Sequence, residues 1–151
     1  MNYVKMLGIA LLPSVIAFAQ STPADAAALV KEAVAFAKVN GIAKLIQETN
    51  QPKGKFHVAS GNELYIFIYN DRGTVKAIGY NTEALVGVNR INLRDPDGFP
   101  FIQEIISVAQ NKGKGWVDYK YPNPVTSKIE QKTSYLEFYD DFIIGSGCYK
   151  D

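Results

Sequence analysis

The chain has 151 residues, a formal net charge of +1 at neutral pH and 47% hydrophobic residues, with one cysteine and one histidine. This length and apolar content suit a single domain with its own core, and a single cysteine excludes an intrachain disulfide. The balanced charge gives no electrostatic footprint for nucleic acid or for an anionic membrane surface, so we expect no nucleic-acid partner.

The first 19 residues have the pattern of a secretory signal peptide. Lys5 precedes an apolar run that Pro13 interrupts, and alternating small residues form a cleavage site that ends at Ala19. A retained membrane anchor is the alternative, but a helix that spans a bilayer needs about 20 apolar residues, more than this run supplies. We therefore expect a signal peptide at 1–19, one mature domain at 20–151 and a periplasmic or secreted location.

Two helices are predicted at the start of the mature domain. Thr22, Pro23 and Asp25 form a helix start, because Thr caps, Pro suits the first helical position and an acid three residues on completes a capping box. The next apolar residues recur on one helical face, so this helix must pack against another element. The face consists of Ala26, Leu29, Val30, Ala33, Val34 and Ala37. The helix should end at residues 40–41, and a shorter helix should follow before the polar break at 50–54.

The remainder of the chain is predicted to consist mainly of β-strands. Residues 64–69 and 74–80 are rich in β-branched and aromatic residues, and the turn signal at 70–73 joins them into a hairpin. Residues 101–112 have the apolar spacing of a helix. Three further strands are predicted at 116–121, about 129–139 and 142–149. This order predicts an α+β fold, an antiparallel sheet with the helices packed on one side of it.

Short segments rich in glycine, aromatic and turn residues occur along the second half of the chain. They lie at residues 71–73, 79–81, 85–89, 95–99, 115–119, 122–124, 132–135 and 145–149. No single segment is diagnostic, but their order and spacing resemble the single Cache family, the extracytoplasmic sensor module of bacterial chemoreceptors and sensor kinases. The resemblance implies a PAS-like antiparallel sheet of about five strands with a long N-terminal helix packed on it. The predicted signal peptide adds the expectation of a stand-alone, secreted domain.

The resemblance also implies a ligand cavity between one face of the sheet and the loops that cross it, at about residues 80–100 and 122–128. Members of the family commonly bind small carboxylates or amino-acid-sized solutes, which an aromatic pocket with one buried cation would suit. The matching positions in this chain are Tyr80, Trp116, Tyr119, Tyr121, Lys132 and Tyr135. Lys132 is the predicted cation of the site.

The alternation of side chains along a strand restricts which of these six residues share a cavity. Lys132 and Tyr135 are an odd step apart, so a regular strand sends them to opposite faces unless a bulge or a later strand start intervenes. Trp116 falls on the face opposite Tyr119 and Tyr121, and we place those two tyrosines ahead of it on the pocket side. Core packing for the aromatics, and a solvated position for Lys132, are the alternative interpretations.

The leading functional prediction is a sensor domain, not an enzyme, that binds a small organic carboxylate without a cofactor. It would act with a membrane receptor or sensor kinase, as a soluble accessory. A protein-interaction or structural module with the same fold is the first alternative, with the amphipathic N-terminal helix as a homodimer or partner face. A hydrolase is the second alternative. Its carboxylates would come from Asp95, Asp97, Asp140 and Asp141, which lie in predicted turns.

Other chemically active residues give weaker predictions. His57 is the only histidine, and no motif marks a catalytic partner for it. Residues 95–98 match a calcium loop only in part, because an oxygen ligand is missing at the required spacing. We therefore expect a turn and helix cap there and no metal site. Cys148 is predicted to be a small buried core residue.

Overall fold

The structure, a computed structural model, describes residues 19–150. The predicted signal peptide lies outside the described residues except for Ala19. The helices are α1 (Pro23–Asn40), α2 (Ile42–Asn50), α3 (Thr82–Leu85) and α4 (Phe101–Lys112). The strands are β1 (Phe67–Asn70), β2 (Val75–Ile78), β3 (Lys114–Pro122), β4 (Ile129–Tyr139) and β5 (Phe142–Tyr149).

The five strands form one antiparallel sheet in the order β2-β1-β5-β4-β3. The last strand of the chain, β5, is therefore central, paired with β1 on one side and β4 on the other. The predicted fold class, a five-stranded antiparallel sheet with a long N-terminal helix packed on it, is confirmed. The arrangement makes β5 the strand that joins the hairpin to the β3–β4 half of the sheet.

The start of α1 has the predicted capping box. The Thr22 hydroxyl accepts a hydrogen bond from the Asp25 backbone N–H at 3.2 Å, and the Asp25 carboxylate accepts one from the Thr22 N–H at 2.8 Å. Gly41 ends the helix with φ at 87°, and its N–H donates to the Ala37 carbonyl at 2.8 Å. This positive φ is one that glycine adopts without strain, which explains why the helix stops there.

The helices pack on both faces of the sheet, so the prediction that they share one side is wrong. α1 and α2 cover the face that contains Ile68 and Ile144. α4 covers the other face, which contains Leu136 and Ile143. The sequence carries a sign of this arrangement, because residues 65–69 form an unbroken apolar and aromatic run that is buried throughout. Such runs are typical of strands with both faces covered.

The hairpin strands are shorter than predicted, and one short helix was not predicted. Residues 64–66 do not extend β1, because the Ile66 N–H donates to the Phe56 carbonyl at 3.0 Å instead of to a strand neighbour. The Ile66 carbonyl accepts the Gly79 N–H at 2.9 Å, which holds this segment beside the end of the hairpin. α3 has only four residues, too few for a helical periodicity to be recognised in the sequence.

Candidate ligand-binding site

A buried lysine lies at the centre of the α4 face of the sheet. Lys132 is 1% exposed, and its Nζ donates a hydrogen bond to the Tyr65 hydroxyl at 3.0 Å. Four aromatic rings surround the ammonium, with centroids at 4.4 Å for Tyr65, 5.1 Å for Tyr121, 5.2 Å for Tyr149 and 5.7 Å for Phe67. Rings at these distances attract a cation through their negative faces, so they partly replace the water that Lys132 has lost.

The ammonium has no carboxylate partner at ion-pair distance in the described part of the chain. The three ion pairs between residues 19 and 150 all involve other lysines. Glu63, 6% exposed, acts on Lys132 through space, but its oxygens accept from the Tyr149 N–H and the Asn123 amide, each at 3.4 Å. Burial lowers the pKa of Lys132 from its ordinary value of 10.5 to about 7, although the charge of Glu63 opposes this shift. An anion would therefore relieve the main electrostatic cost of this site.

Strand register brings the aromatic residues to the same face as the lysine. Tyr119 of β3 pairs directly with Lys132 of β4, and Tyr121 lies two residues farther along the same strand. Side chains two residues apart point to the same face. The same alternation puts Phe67 of β1 and Tyr149 of β5 on this face, because both belong to the core on the α4 side. The site is thus built from four strands of the sheet.

Two glycines of β5 make room for the site. A Cβ on Gly147 would lie 2.8 Å from Cε of Lys132 and would overlap the Ser134 hydroxyl. A Cβ on Gly145 would overlap the ring of Phe67. Glycine in a strand interior often marks such a close approach. The two glycines therefore let the lysine stem and the phenyl ring lie flat across the central strand.

Helix α4 closes the site from above the sheet. Phe101, its first residue, stacks on Tyr119 with ring centroids 4.5 Å apart and planes 6° apart. The inner cavity measures about 10 Å³. Its walls are Tyr65, Phe67, Tyr69, Ile78, Phe101, Ile105, Tyr119, Tyr121 and Lys132. A space of this size accommodates about one water molecule, so an organic ligand requires some of these walls to move.

An outer cleft of about 460 Å³ opens beside the inner cavity and shares Phe101 and Tyr121 with it. Three cationic side chains line it, Arg90, Arg94 and Lys120. Lys120 pairs with Asp97 and Arg94 donates to the Gly98 carbonyl, whereas Arg90 Nη1 donates to the Tyr121 hydroxyl at 2.8 Å and to the Tyr69 hydroxyl at 3.5 Å. The Arg90 backbone N–H donates to the Gly73 carbonyl at 2.8 Å, which fixes the loop to the hairpin turn. The outer cleft is large enough for a small-molecule ligand.

The structure brings four of the six predicted site residues together. Lys132, Tyr119 and Tyr121 line the inner cavity. Tyr80 lines the outer cleft, and its ring centroid lies 5.5 Å from that of Tyr65, so it stands at the border between the two spaces.

The sheet separates the other two predicted residues, Trp116 and Tyr135, from Lys132. Their rings pack on each other at 5.2 Å on the face covered by α1, and Trp116 is 43% exposed. The reason is that β4 pairs with both of its neighbours without a bulge from Lys132 to Glu137, so the odd step from Lys132 to Tyr135 changes face. Trp116 and Tyr135 therefore do not share the cavity of Lys132, as the alternation of a regular strand predicted, and listing them with the other four site residues needs this correction.

Several residues of the site were missed by the sequence reasoning. Tyr65, Phe67 and Tyr69 alternate along the strand predicted at residues 64–69, and this aromatic spacing was a usable signal for a shared face. Tyr149 had a weaker signal, since it ends the predicted last strand. Arg90 had none, because its place over Tyr121 depends on how a loop folds back on the sheet.

Asp95, a candidate for the hydrolase alternative, has a structural role in its own loop. Asp95 accepts backbone N–H groups of Asp97, Phe99 and Lys120 at 2.9–3.1 Å, so its carboxylate organises the loop. The turn predicted at residues 95–98 is present, but α4 starts after Pro100 without a side-chain cap, so the predicted cap is wrong.

Asp140, Asp141 and Cys148 also lie in structural positions. Asp140 and Asp141 form the β4–β5 turn with φ values of 51° and 65°. Cys148 is buried, as predicted. Residues 19–150 contain no cluster of three or more His, Cys, Asp or Glu side chains that could hold a metal ion.

Two curated relatives match parts of the chain. Over 61 residues it is 41% identical to the methyl-accepting chemotaxis protein McpP of Pseudomonas putida, a match that covers 39% of this chain and 11% of that protein. Over 93 residues it is 32% identical to the sensor histidine kinase MctS of Rhizobium johnstonii, which covers 60% of this chain and 20% of the kinase. The chain thus matches only a small part of the length of either relative.

The fold and the family are shown by two further comparisons. A Cache chemosensory domain, solved to show the structural basis of carboxylic acid recognition, has the same fold, with a TM-score of 0.62, 24% identity and coverage of 83% of this chain and 86% of that one. No helix within residues 19–150 has both the length and the apolar character to cross a bilayer. The family model for single Cache domain 2 matches residues 20–151. The chain therefore belongs to this family of extracytoplasmic sensor domains of chemoreceptors and sensor kinases.

Proposed function

We propose that this domain binds a small carboxylate and that the Lys132 ammonium holds it. The observation that carries the proposal is a fully buried lysine whose surroundings supply one hydroxyl and four aromatic rings but no carboxylate at ion-pair distance among residues 19–150. A ligand carboxylate would accept a charge-assisted hydrogen bond from Nζ, which is about twice as strong as a neutral one. The fold shared with a domain that recognises carboxylic acid supports the same ligand class.

The residues proposed to contact the ligand are those on the α4 face of the sheet. Lys132 supplies the charge, and Tyr119 and Tyr121 form the walls and exclude water, while Tyr80 borders the entrance. Trp116 and Tyr135 are left out of the proposed site because they lie on the other face. The role is binding and not catalysis, and it needs no cofactor.

Ligand entry would also supply the signal. The inner cavity of about 10 Å³ must enlarge, and we propose that α4 and the loop that carries Arg90, which supply walls of the two spaces, move apart. A ligand shifts a conformational equilibrium only as far as it binds one state more tightly than the other. A carboxylate that enters the inner cavity meets this condition, because only an enlarged cavity has room for it.

The location and the partners belong to the same proposal. The mature domain would span residues 20–151 after removal of a signal peptide at 1–19, in the periplasm or outside the cell. There it would act as a soluble accessory to a membrane receptor or sensor kinase, with α1 as a candidate homodimer face.

A thermal-shift screen of the chain tests the proposal. Specific ligands raise the unfolding midpoint because they bind the native state. We expect short carboxylates to raise it, amines and purines to leave it unchanged, and Lys132→Met to abolish the carboxylate effect. Lys128→Met is the matched control, since Lys128 is exposed in the β3–β4 loop. A midpoint that no carboxylate raises, or an equal rise in Lys132→Met, would contradict the proposal.

A further inference from the structure

Two cations of this domain share one aromatic ring. Nζ of Lys132 lies 5.1 Å from the centroid of Tyr121, and Cζ of Arg90 lies 5.5 Å from it. Nη1 of Arg90 also donates to the hydroxyl of the same tyrosine at 2.8 Å. Two positive charges this close repel each other, so the arrangement is unfavourable unless negative charge is added.

Residues 19–150 do not supply that negative charge at ion-pair distance. None of the three ion pairs between residues 19 and 150 includes Arg90 or Lys132. Asp95 lines the outer cleft, but its two oxygens accept three backbone N–H groups. Glu63 is held by the Tyr149 N–H and by Asn123. The nearby carboxylates are thus committed to other groups.

The guanidinium of Arg90 retains capacity for a ligand. It carries five N–H donors in a planar fork that suits a carboxylate. In the described part of the chain its side-chain hydrogen bonds come from Nη1 alone and go to the hydroxyls of Tyr69 and Tyr121. The edge formed by Nε and Nη2 has no hydrogen-bond partner among residues 19–150.

The two cations lie at two connected spaces of very different size. Lys132 lines the inner cavity of about 10 Å³, and Arg90 lines the outer cleft of about 460 Å³. Tyr121 and Phe101 are common to both linings, so they form the wall between the spaces. A ligand that displaces this wall can therefore place one end in each space.

We propose that the ligand is a short dicarboxylate, with one carboxylate on Lys132 and the other on Arg90, and with its carbon chain passing Tyr121. This inference rests on the proposed function above and narrows its ligand class. A dianion compensates both cations at once, whereas a monocarboxylate on Lys132 leaves the guanidinium without an anionic partner. The apolar residues of the cleft, such as Leu93 and Ile129, suit the methylene groups between the two charges.

The test compares two acids of equal chain length, succinate and butyrate, by calorimetric titration of the full chain. We expect the wild-type protein to bind succinate about tenfold more tightly than butyrate, as one further charge-assisted interaction implies. Arg90→Gln should lower the affinity for succinate about tenfold more than it changes the affinity for butyrate, so that the preference is lost. Arg94→Gln is the matched control, because Arg94 lines the same cleft but donates to the Gly98 carbonyl at 2.8 Å. It should keep the preference.

Three results would overturn the inference. They are equal affinity of the wild-type protein for the two acids, equal weakening of both acids by Arg90→Gln, and loss of the preference in Arg94→Gln. Arg90→Lys keeps the charge and should keep part of the preference, so it replaces the glutamine variant if that variant does not fold. If the wild-type protein binds butyrate but not succinate, only this inference is contradicted. If it binds none of succinate, butyrate, acetate and propionate, the proposed function is contradicted as well.

Discussion

The two faces of the central sheet are built from the same strands, yet they differ in what they bury. On the α1 face, Ile68 and Ile144 pack against Val30 and Ala33 of the helix, and all four are fully buried. On the α4 face, the core contains the buried ammonium of Lys132 and several tyrosine hydroxyls. We infer that the α1 face supplies stability and that the α4 face gives up some stability for binding.

The largest effect on stability is expected on the α1 face. Ile68→Ala should lower the free energy of unfolding by about 2–5 kcal/mol, because it removes buried methyl groups and leaves a cavity. The affinity for a carboxylate should stay the same, since Ile68 points away from Lys132. Urea denaturation and titration calorimetry measure the two quantities. Val39→Ala is the control, as Val39 is 84% exposed. If Ile68→Ala lost carboxylate binding and kept the free energy of unfolding of the wild type, the proposed difference between the two faces would be contradicted.

On the α4 face we expect the opposite result, a loss of carboxylate binding together with a gain in stability. Lys132→Met should abolish carboxylate binding and raise the free energy of unfolding at neutral pH by about 1–4 kcal/mol, because a buried charge is replaced by an apolar chain of similar length. A variant that unfolds more easily than the wild type would show that the ammonium stabilises the fold.

The pH dependence of stability sharpens this prediction. The pKa of Lys132 is about 7 in the folded protein and 10.5 for an ordinary lysine, so between these values the unfolded chain binds more protons. Stability therefore rises with pH through this window, and below pH 7 the full cost of burying the charge is present. The same denaturation series in Lys132→Met should lack the rise that comes from this residue. An identical rise in both proteins would assign it to other groups.

A smaller effect is expected at the glycine that lies under the lysine. Gly147→Ala should destabilise the fold by about 1–3 kcal/mol, because the added methyl group overlaps Ser134 and crowds the Lys132 stem. It should also weaken carboxylate binding. Ser146→Ala, on the other face of β5, is the matched control, since that buried hydroxyl has no hydrogen-bond partner among residues 19–150. Denaturation and calorimetry on the two variants test the prediction, which fails if Gly147→Ala behaves like the control.

The smallest effect is expected at the start of α1. Thr22→Ala removes one side of the capping box and should lower the free energy of unfolding by about 1 kcal/mol. Carboxylate affinity should not change, because the cap lies far along the chain from the site and on the stabilising helix. Chemical denaturation of the variant measures the loss. A loss of carboxylate affinity in Thr22→Ala would show that the start of α1 affects binding, which would contradict the proposed difference between the two faces.

The elements that the sequence predicted well are those with local causes. The capping box at Thr22 and the glycine at Gly41 fixed both ends of α1, and alternation along β3 separated Trp116 from Tyr119. These features depend on residues that are close in the sequence, so they can be predicted without knowledge of the fold.

The features that were missed or wrong depend on distant contacts. Helices were expected on one side of the sheet, although the unbroken run at residues 65–69 pointed to two covered faces. Arg90 was not predicted for the site, because it reaches Tyr121 only after its loop has bonded to Gly73. The shared pocket for Lys132 and Tyr135 would have needed a bulge that β4 does not have.

The central claim is that a carboxylate binds to the Lys132 ammonium, and proton uptake on binding tests it most directly. With the pKa of Lys132 at about 7, most of these side chains are neutral at pH 8, and a bound anion would draw a proton onto them. Titrations of a binding carboxylate at pH 8, in buffers of different ionisation enthalpy, should show uptake of about one proton per ligand. Binding without proton uptake, together with equal affinity in Lys132→Met, would contradict the account.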